Sequence, residues 1–260
     1  GFNTAVPSWM LFIRVSTQEQ EANYYCTILG TVCTEATWAM PQYGGGNYRC
    51  IGTALYRNMP DADWRKLSWI SPDDAGSKTA AAKYGANEEC FATYPAYANF
   101  KFRSRNNDDM VEGLKCDLPL MRAEEMFFIE AEAEAHINGV PAGAAKLQDF
   151  VNTYRYTDGS YQCTATTMSA FNRQMLEQKR IEFWGEGITY FDYKRLRMAV
   201  KRSESSNYPA DMRSYKSGSM PMDSKDGYVC PSMNYYILNY EMNNNPYVKR
   251  NPDCSQWYKK

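Results

Sequence analysis

Apolar positions recur at helical spacing between residues 118 and 200, and they do not do so in the flanks. The first such stretch reads LPLMRAEEMFFIEAEAEAHING, from Leu118 to Gly139. At about 100° per residue, Leu120, Met121, Phe127, Phe128, Ala131 and Ala135 share one arc, which predicts a helix with that arc turned to a core. Pro119 and Asn138-Gly139 punctuate it suitably. Proline lacks the amide hydrogen that a first turn leaves unbonded, and glycine accepts the left-handed exit. A second helix is predicted from Pro141, with Ala144, Leu147, Val151 and Tyr154 on one face. The short connection makes the two an antiparallel hairpin. After the polar TDGSYQCTATT, a third helix runs through MSAFNRQMLEQKRIEFWGE with Gly187 as its stop, and TYFDYKRLRMAV gives a shorter fourth.

The flanks read differently. Residues 1–117 are rich in Gly, Pro, Asn and Tyr, as in QYGGGNYRC, which predicts irregular structure with short strands or helices. Residues 201–260 are broken by Pro209, Pro221, Pro231, Pro246 and Pro252. The expected fold is mainly α with long irregular loops and a few short strands. It is read as a single domain over 1–260, made of a loop-rich segment (1–117), a helical core (118–200) and a loop-rich tail (201–260).

Charge narrows the functional classes. Lys plus Arg number 29 against 30 Asp plus Glu, a net charge of −1, so no global field draws in nucleic acid or anionic lipid. No nucleic-acid partner is expected. Aromatics make up 15% of the chain, including 21 Tyr and 6 Trp, enough both for a core and for surfaces that stack on flat or amphipathic ligands. Cysteines stand at 26, 33, 50, 90, 116, 163, 230 and 254 without a C-x-x-C pair, which argues against a zinc ribbon and leaves disulfides and buried thiols both open. No window reaches the roughly 18 uncharged apolar residues of a spanning helix.

The first helix also carries candidate chemistry. Glu125, Glu132 and the single histidine, His136, fall on a stripe beside the apolar arc. A di-iron bundle needs Glu-x-x-His from each of two helices, yet Ala133 stands three before His136 and no second histidine exists. H-E-x-x-H and G-x-S-x-G are absent too. No metal or cofactor is therefore expected. Two carboxylates of a glycoside hydrolase need only meet in space, so that alternative stays open. The structural alternative ties Glu125 and Glu132 to Arg180 or Arg195 on the adjoining helices, because buried carboxylates need partners.

Two segments, in this order, resemble the signatures of the SusD/RagB family. Leu120, Arg122, Glu125, Phe128, Ala131, Glu132 and Ala133 follow a pattern like L-x-R-x-A-E-x-x-L-x-x-A-E-A, with Glu124 where alanine is usual. Glu182, Phe183, Glu186, Gly187, Asp192 and Arg195 follow one like E-R-x-x-E-L-x-x-E-G-x-R-x-x-D-L-x-R, with Gln178, Lys179, Thr189 and Tyr193 departing. LYRNMPDADWRKLSW is similar to the family's D-x-R segment, and YYILNYEMNNNPYVKRNPD to its ending, keeping Glu241, Asn245, Pro246, Asn251 and Pro252. The chain is identified on these motifs as a divergent member.

The resemblance implies a non-catalytic protein that captures oligosaccharides, or in some cases peptides. It further implies delivery to a SusC-like TonB-dependent transporter, of which such proteins form the lid on the outer face of the outer membrane. Members are about twice this length and carry a signal, a lipidated cysteine and tetratricopeptide-type helical repeats. This chain therefore reads as the C-terminal half, with the N-terminal half as a further partner. Binding aromatics in the family lie on loops, which turns attention to ATWAMPQYGGGNYRC in segment 1–117, the part expected to face the ligand. There Trp38, Tyr43, Asn47 and Tyr48 form the candidate stacking platform, since glycines let the backbone lie close to a ligand. Trp64 and Trp69 are read as structural. The remaining alternative is an adaptor whose helical hairpins dock a partner.

Overall fold

The computed structural model describes residues 6–13, 48–86, 88–92, 94–102, 117–207, 226–227, 229, 233–234 and 237–249. Its elements run in the order β1 (Trp9–Ile13), α1 (Thr53–Asn58), α2 (Ala81–Tyr84), α3 (Glu88–Phe91), β2 (Leu118–Arg122), α4 (Ala123–Ile137), α5 (Val140–Tyr154), α6 (Met168–Glu182), α7 (Ile188–Leu196) and α8 (Asn239–Asn244). Short 3₁₀ turns occupy Trp64–Ser68 and Lys78–Ala80. Among the described residues the fold is mainly helical with one small sheet, in line with the mainly α pattern. The chain divides into two compact units, Gly1–Ile51 with Leu55–Gly185, and Gly52–Ala54 with Glu186–Lys260.

In the larger unit, α4 and α5 form the predicted hairpin around Asn138-Gly139. Phe128, Ala131 and Ala135 of α4 are buried together with Gly143, Ala144, Leu147, Phe150 and Val151 of α5. The helices approach so closely that a Cβ on Gly143 would stand 2.4 Å from the Ala135 Cβ and 2.5 Å from the Ala131 carbonyl oxygen. Only glycine fits there without a shift. Tyr154, expected on the buried face, is instead half exposed, its ring tilted against those of Phe127 and Phe150.

The helix expected to open near Pro119 opens at Ala123. Residues 118–122 form β2, antiparallel to β1, with Pro119 opposite Phe12 and Arg122 opposite Trp9. Either strand of a two-stranded sheet has an open side, where a missing amide hydrogen breaks no ladder, so proline is tolerated. Leu120 and Met121 consequently leave the apolar arc and are exposed. The helix begins where Arg122 is still extended, and Glu124 and Glu125 in its first turn suit the positive end of the helix dipole.

The third helix is capped by Thr167, whose side chain accepts from the Ala170 amide. It ends at Glu182 rather than at Gly187, which adopts φ 82° and caps the start of α7 instead. Behind α6 lies a cluster of Ile51, Leu55, Tyr56, Met59, Trp69 and Ile181. A second cluster joins Ile70, Ala80, Ala81, Tyr84, Phe91, Tyr94, Ala98 and Phe100.

In the smaller unit, Asp192 of α7 is buried and accepts from Arg195 Nε at 2.9 Å. Tyr190 Oη donates to the Met233 carbonyl, and Ser206 N to Thr53 Oγ1 at 2.8 Å. The α8 turn leaves Leu238, Tyr240 and Tyr247 exposed. Cys50 and Cys163 are free thiols, and burial pushes the Cys50 thiol up to about 11. The other cysteine side chains lie outside the described residues. No helix among the described residues is long and apolar enough to cross a membrane.

Candidate functional site

The larger unit gathers several of its buried charges around one carboxylate, Glu182 at the end of α6. Three elements each send an arginine to it. Arg65 comes from the 3₁₀ turn, whose N-cap Asp63 accepts from the Arg65 amide at 3.0 Å and from Arg65 Nε and Nη2 at 2.9 and 2.8 Å. That clamp aims Arg65 Nη1 at Glu182 Oε2, 3.1 Å away, while Nη2 also donates to Gln178 Oε1 at 2.5 Å. Gln178 and Glu182 share a face of α6 because they are one helical turn apart.

Arg122, at the junction of β2 and α4, donates to Glu182 Oε1 at 3.3 Å and to the Glu182 carbonyl at 3.1 Å. Arg155, just past α5, grips the carboxylate with Nε to Oε2 at 2.7 Å and Nη2 to Oε1 at 2.9 Å. Glu124 then bridges the last two arginines, 3.0 Å from Arg122 Nη1 and 3.4 Å from Arg155 Nη2. The guanidinium groups of Arg65, Arg122 and Arg155 are thus balanced by Asp63, Glu124 and Glu182. Burial pushes the Glu182 carboxyl up, but the hydrogen bond and charge of Arg155, with the charges of Arg65 and Arg122, outweigh it. Glu182 is held well below the usual carboxylate range.

Aromatic rings and a lysine complete the setting. Lys101 Nζ donates to the carbonyls of Glu182 and Trp184 at 2.7 and 2.9 Å, satisfying the open end of α6. The Arg155 guanidinium lies 5.4 Å from the Trp64 ring centre and 5.1 Å from that of Phe150. Trp64 is 46% exposed, and its Nε1 donates to the Tyr154 carbonyl at 2.7 Å. Beside this cluster opens a cleft of about 200 Å³, to which Trp64, Ser68, Trp69, Glu124 and Arg155 contribute walls. Among the described residues, no group of three or more His, Cys, Asp or Glu is placed to hold a metal ion.

The residues singled out in the sequence lie as follows. Trp38, Tyr43 and Asn47 fall outside the described residues. Tyr48 is half-buried, its ring edge-on to Tyr94 at 5.8 Å against the second aromatic cluster. Glu125, Glu132 and Arg180 are half-buried, and His136 is exposed. Among the described residues neither Glu125 nor Arg180 forms an ion pair, and Arg195 pairs with Asp192 at 2.8 Å. Glu124, the neighbour of Glu125, reaches Arg122 and Arg155. Trp69 is core as expected, whereas Trp64 is half exposed and walls the cleft. Sequence reasoning passed over Arg155 and Asp63 as partners. The Asp63-Trp64-Arg65 triplet was nevertheless visible as the D-x-R segment, and Arg122 and Glu182 stood inside the two signatures.

Comparison with known proteins places these motifs. The model of the SusD family matches residues 18–254. A solved SusD-like carbohydrate binding protein from Bacteroides vulgatus ATCC 8482 superposes with a TM-score of 0.56 at 22% identity, covering 97% of this chain and 50% of its own. A SusD superfamily protein from Bacteroides fragilis NCTC 9343 gives a TM-score of 0.54 at 16% identity, covering 95% of this chain and 52% of its own. This chain therefore spans about half the length of the solved relatives it matches. No curated protein matches it.

Proposed function

Because the chain belongs to the SusD family, we propose that it captures carbohydrate at the cell surface without altering it and passes the glycan to a TonB-dependent outer-membrane transporter. The observation that carries the reading is the family match over residues 18–254, which takes in both helical signatures and the described core. Binding without chemistry also suits the buried charges. A glycoside hydrolase needs a carboxyl that keeps its proton near neutral pH, and Glu182 is held ionised by three arginines. The acids at the centre of this core serve arginines. Glycan contact is assigned to Trp38, Tyr43, Asn47 and Tyr48, where rings offer faces to sugar C–H groups and the amide bonds hydroxyls. In the parent protein, lipid anchoring and the remaining half complete the surface receptor.

Calorimetric titration of the chain against neutral plant, fungal and host oligosaccharides tests the reading. Saturable binding to at least one glycan, weakened about tenfold or more in Trp38→Ala, is expected, since loss of one stacked ring removes on the order of 1–2 kcal/mol. Heat-silent titrations across the whole panel would sink it.

A further inference from the structure

A net charge of −1 over the whole chain conceals one uneven stretch in the smaller unit. Residues 190–202, YFDYKRLRMAVKR, carry five cations, Lys194, Arg195, Arg197, Lys201 and Arg202, against one acid, Asp192. That acid is buried and already met by Arg195. Lys194 Nζ lies over the Tyr190 ring, 5.5 Å from its centre, while Arg197 and Lys201 are exposed. None of these three forms an ion pair among the described residues. Two exposed acids stand nearby in the same unit, Asp226, whose Oδ1 accepts from the Ala199 amide at 2.8 Å, and Glu204. Setting the Asp192–Arg195 pair aside, four cations remain against these two.

The fold accounts for only part of this charge. Lys194 and Arg195 end α7, where cations suit the negative pole of the helix dipole. Arg197 leaves the helix in a left-handed conformation, φ 52°, with its amide bonded to the Lys194 carbonyl at 3.3 Å. Glycine or asparagine is usual at such an exit. An arginine there gives up backbone ease, and no carboxylate or ring among the described residues receives its guanidinium. Phe191 adds an apolar element, 62% exposed and one turn before Lys194 and Arg195. Cations around an exposed ring match a polypeptide surface that rests on a bilayer, where the cations meet lipid phosphates and the ring enters the acyl boundary. A soluble polyanion would use the charges and leave the ring in water.

We infer that the end of α7 and the segment to Arg202 form a docking surface for an anionic lipid bilayer, with Lys194, Arg197 and Lys201 against headgroup phosphates and Phe191 in the interface. The inference rests on the cell-surface reading above and adds orientation to it. A lipid anchor by itself limits distance from the membrane, whereas a basic surface also selects the side that faces it.

Co-sedimentation of the chain with vesicles of phosphatidylcholine, alone or with about 30 mol% phosphatidylglycerol, tests the assignment at low and physiological salt. The chain should sediment with the anionic vesicles at millimolar lipid, stay in solution with the neutral ones, and be released as salt rises. Each cation near an anionic surface strengthens binding about fivefold, so the Arg197→Glu/Lys201→Glu double variant should lose tenfold or more. Arg197→Asn should lose about fivefold, and it keeps the fold because asparagine accepts the left-handed exit. Phe191→Ser should weaken binding about threefold or more. No sedimentation at millimolar lipid, equal sedimentation with both vesicle types, or full binding by the double variant overturns the inference. So does binding to heparin as tight as to vesicles and indifferent to Phe191→Ser, which would give the surface to a soluble polyanion. If the vesicles fail while a glycan binds calorimetrically, the docking surface falls and the capture reading stands. If the anionic vesicles bind and no glycan does, the capture reading falls alone.

Discussion

Glu182 on α6 and Asp192 on α7 are both acids of the second signature, but they live in different surroundings. Glu182 is 6% exposed and accepts from three arginines brought by three separate elements. Asp192 is as deeply buried, but one of its partners, Arg195, sits one turn along the same helix with a side chain 44% exposed. A charge with one foot in water is screened and keeps its freedom, whereas a buried network cannot relax when a member is lost. Position in a motif therefore says little about what a carboxylate contributes. The burial of the guanidinium groups that meet it decides.

Removing Glu182 is the harshest way to break that contrast. Glu182→Ala strands Arg65, Arg122 and Arg155 in the interior, and the expected loss is about 3–5 kcal/mol of unfolding free energy in a urea titration. An unchanged midpoint would mean the cluster is decoration. Acid should remove part of the same contribution. The folded Glu182 carboxyl lies below its unfolded value of about 4.3, so its stabilisation is complete above that pH and drains away as pH falls toward the folded value. Glu182→Gln should lack this share of the acid limb, and stability curves of parallel slope below pH 4.5 or so would contradict the assignment.

Packing without charge offers a calibration inside the same unit. Gly143→Ala drives a methyl group into Ala135 and the Ala131 carbonyl, for an expected loss of about 1–3 kcal/mol by thermal unfolding. A neutral result would show that α4 and α5 can part slightly. Arg195→Ala marks the lower end of the scale. The half-exposed pair should contribute no more than about 1 kcal/mol, and a loss rivalling that of Glu182→Ala would erase the difference between the two acids.

The helical core was legible because α4 to α7 each repeat apolar residues near the helical period, with Pro and Gly punctuating them. Strand β2 was not, because Pro119, Leu120 and Met121 suit a helix start as well as a strand, and the partner that decides is β1, more than a hundred residues earlier. Partner choice within the charge cluster was equally hidden. Glu124 and Glu125 are neighbours in sequence, but about 100° of helical rotation separates their directions, and only Glu124 reaches Arg122 and Arg155. Arg155 follows α5 outside any repeat, and its role emerges only when the hairpin returns it to the end of α6. The cleft was illegible for the same reason, since Trp69 and Glu124 meet it from distant parts of the chain.

Equilibrium dialysis of the chain against an oligosaccharide, with the length distribution of the sugar measured on both sides of the membrane, tests capture without chemistry in one experiment. The account predicts enrichment on the protein side with every chain length preserved. Equal concentrations on the two sides for all sugars tried, or shortened chains on either side, would contradict it.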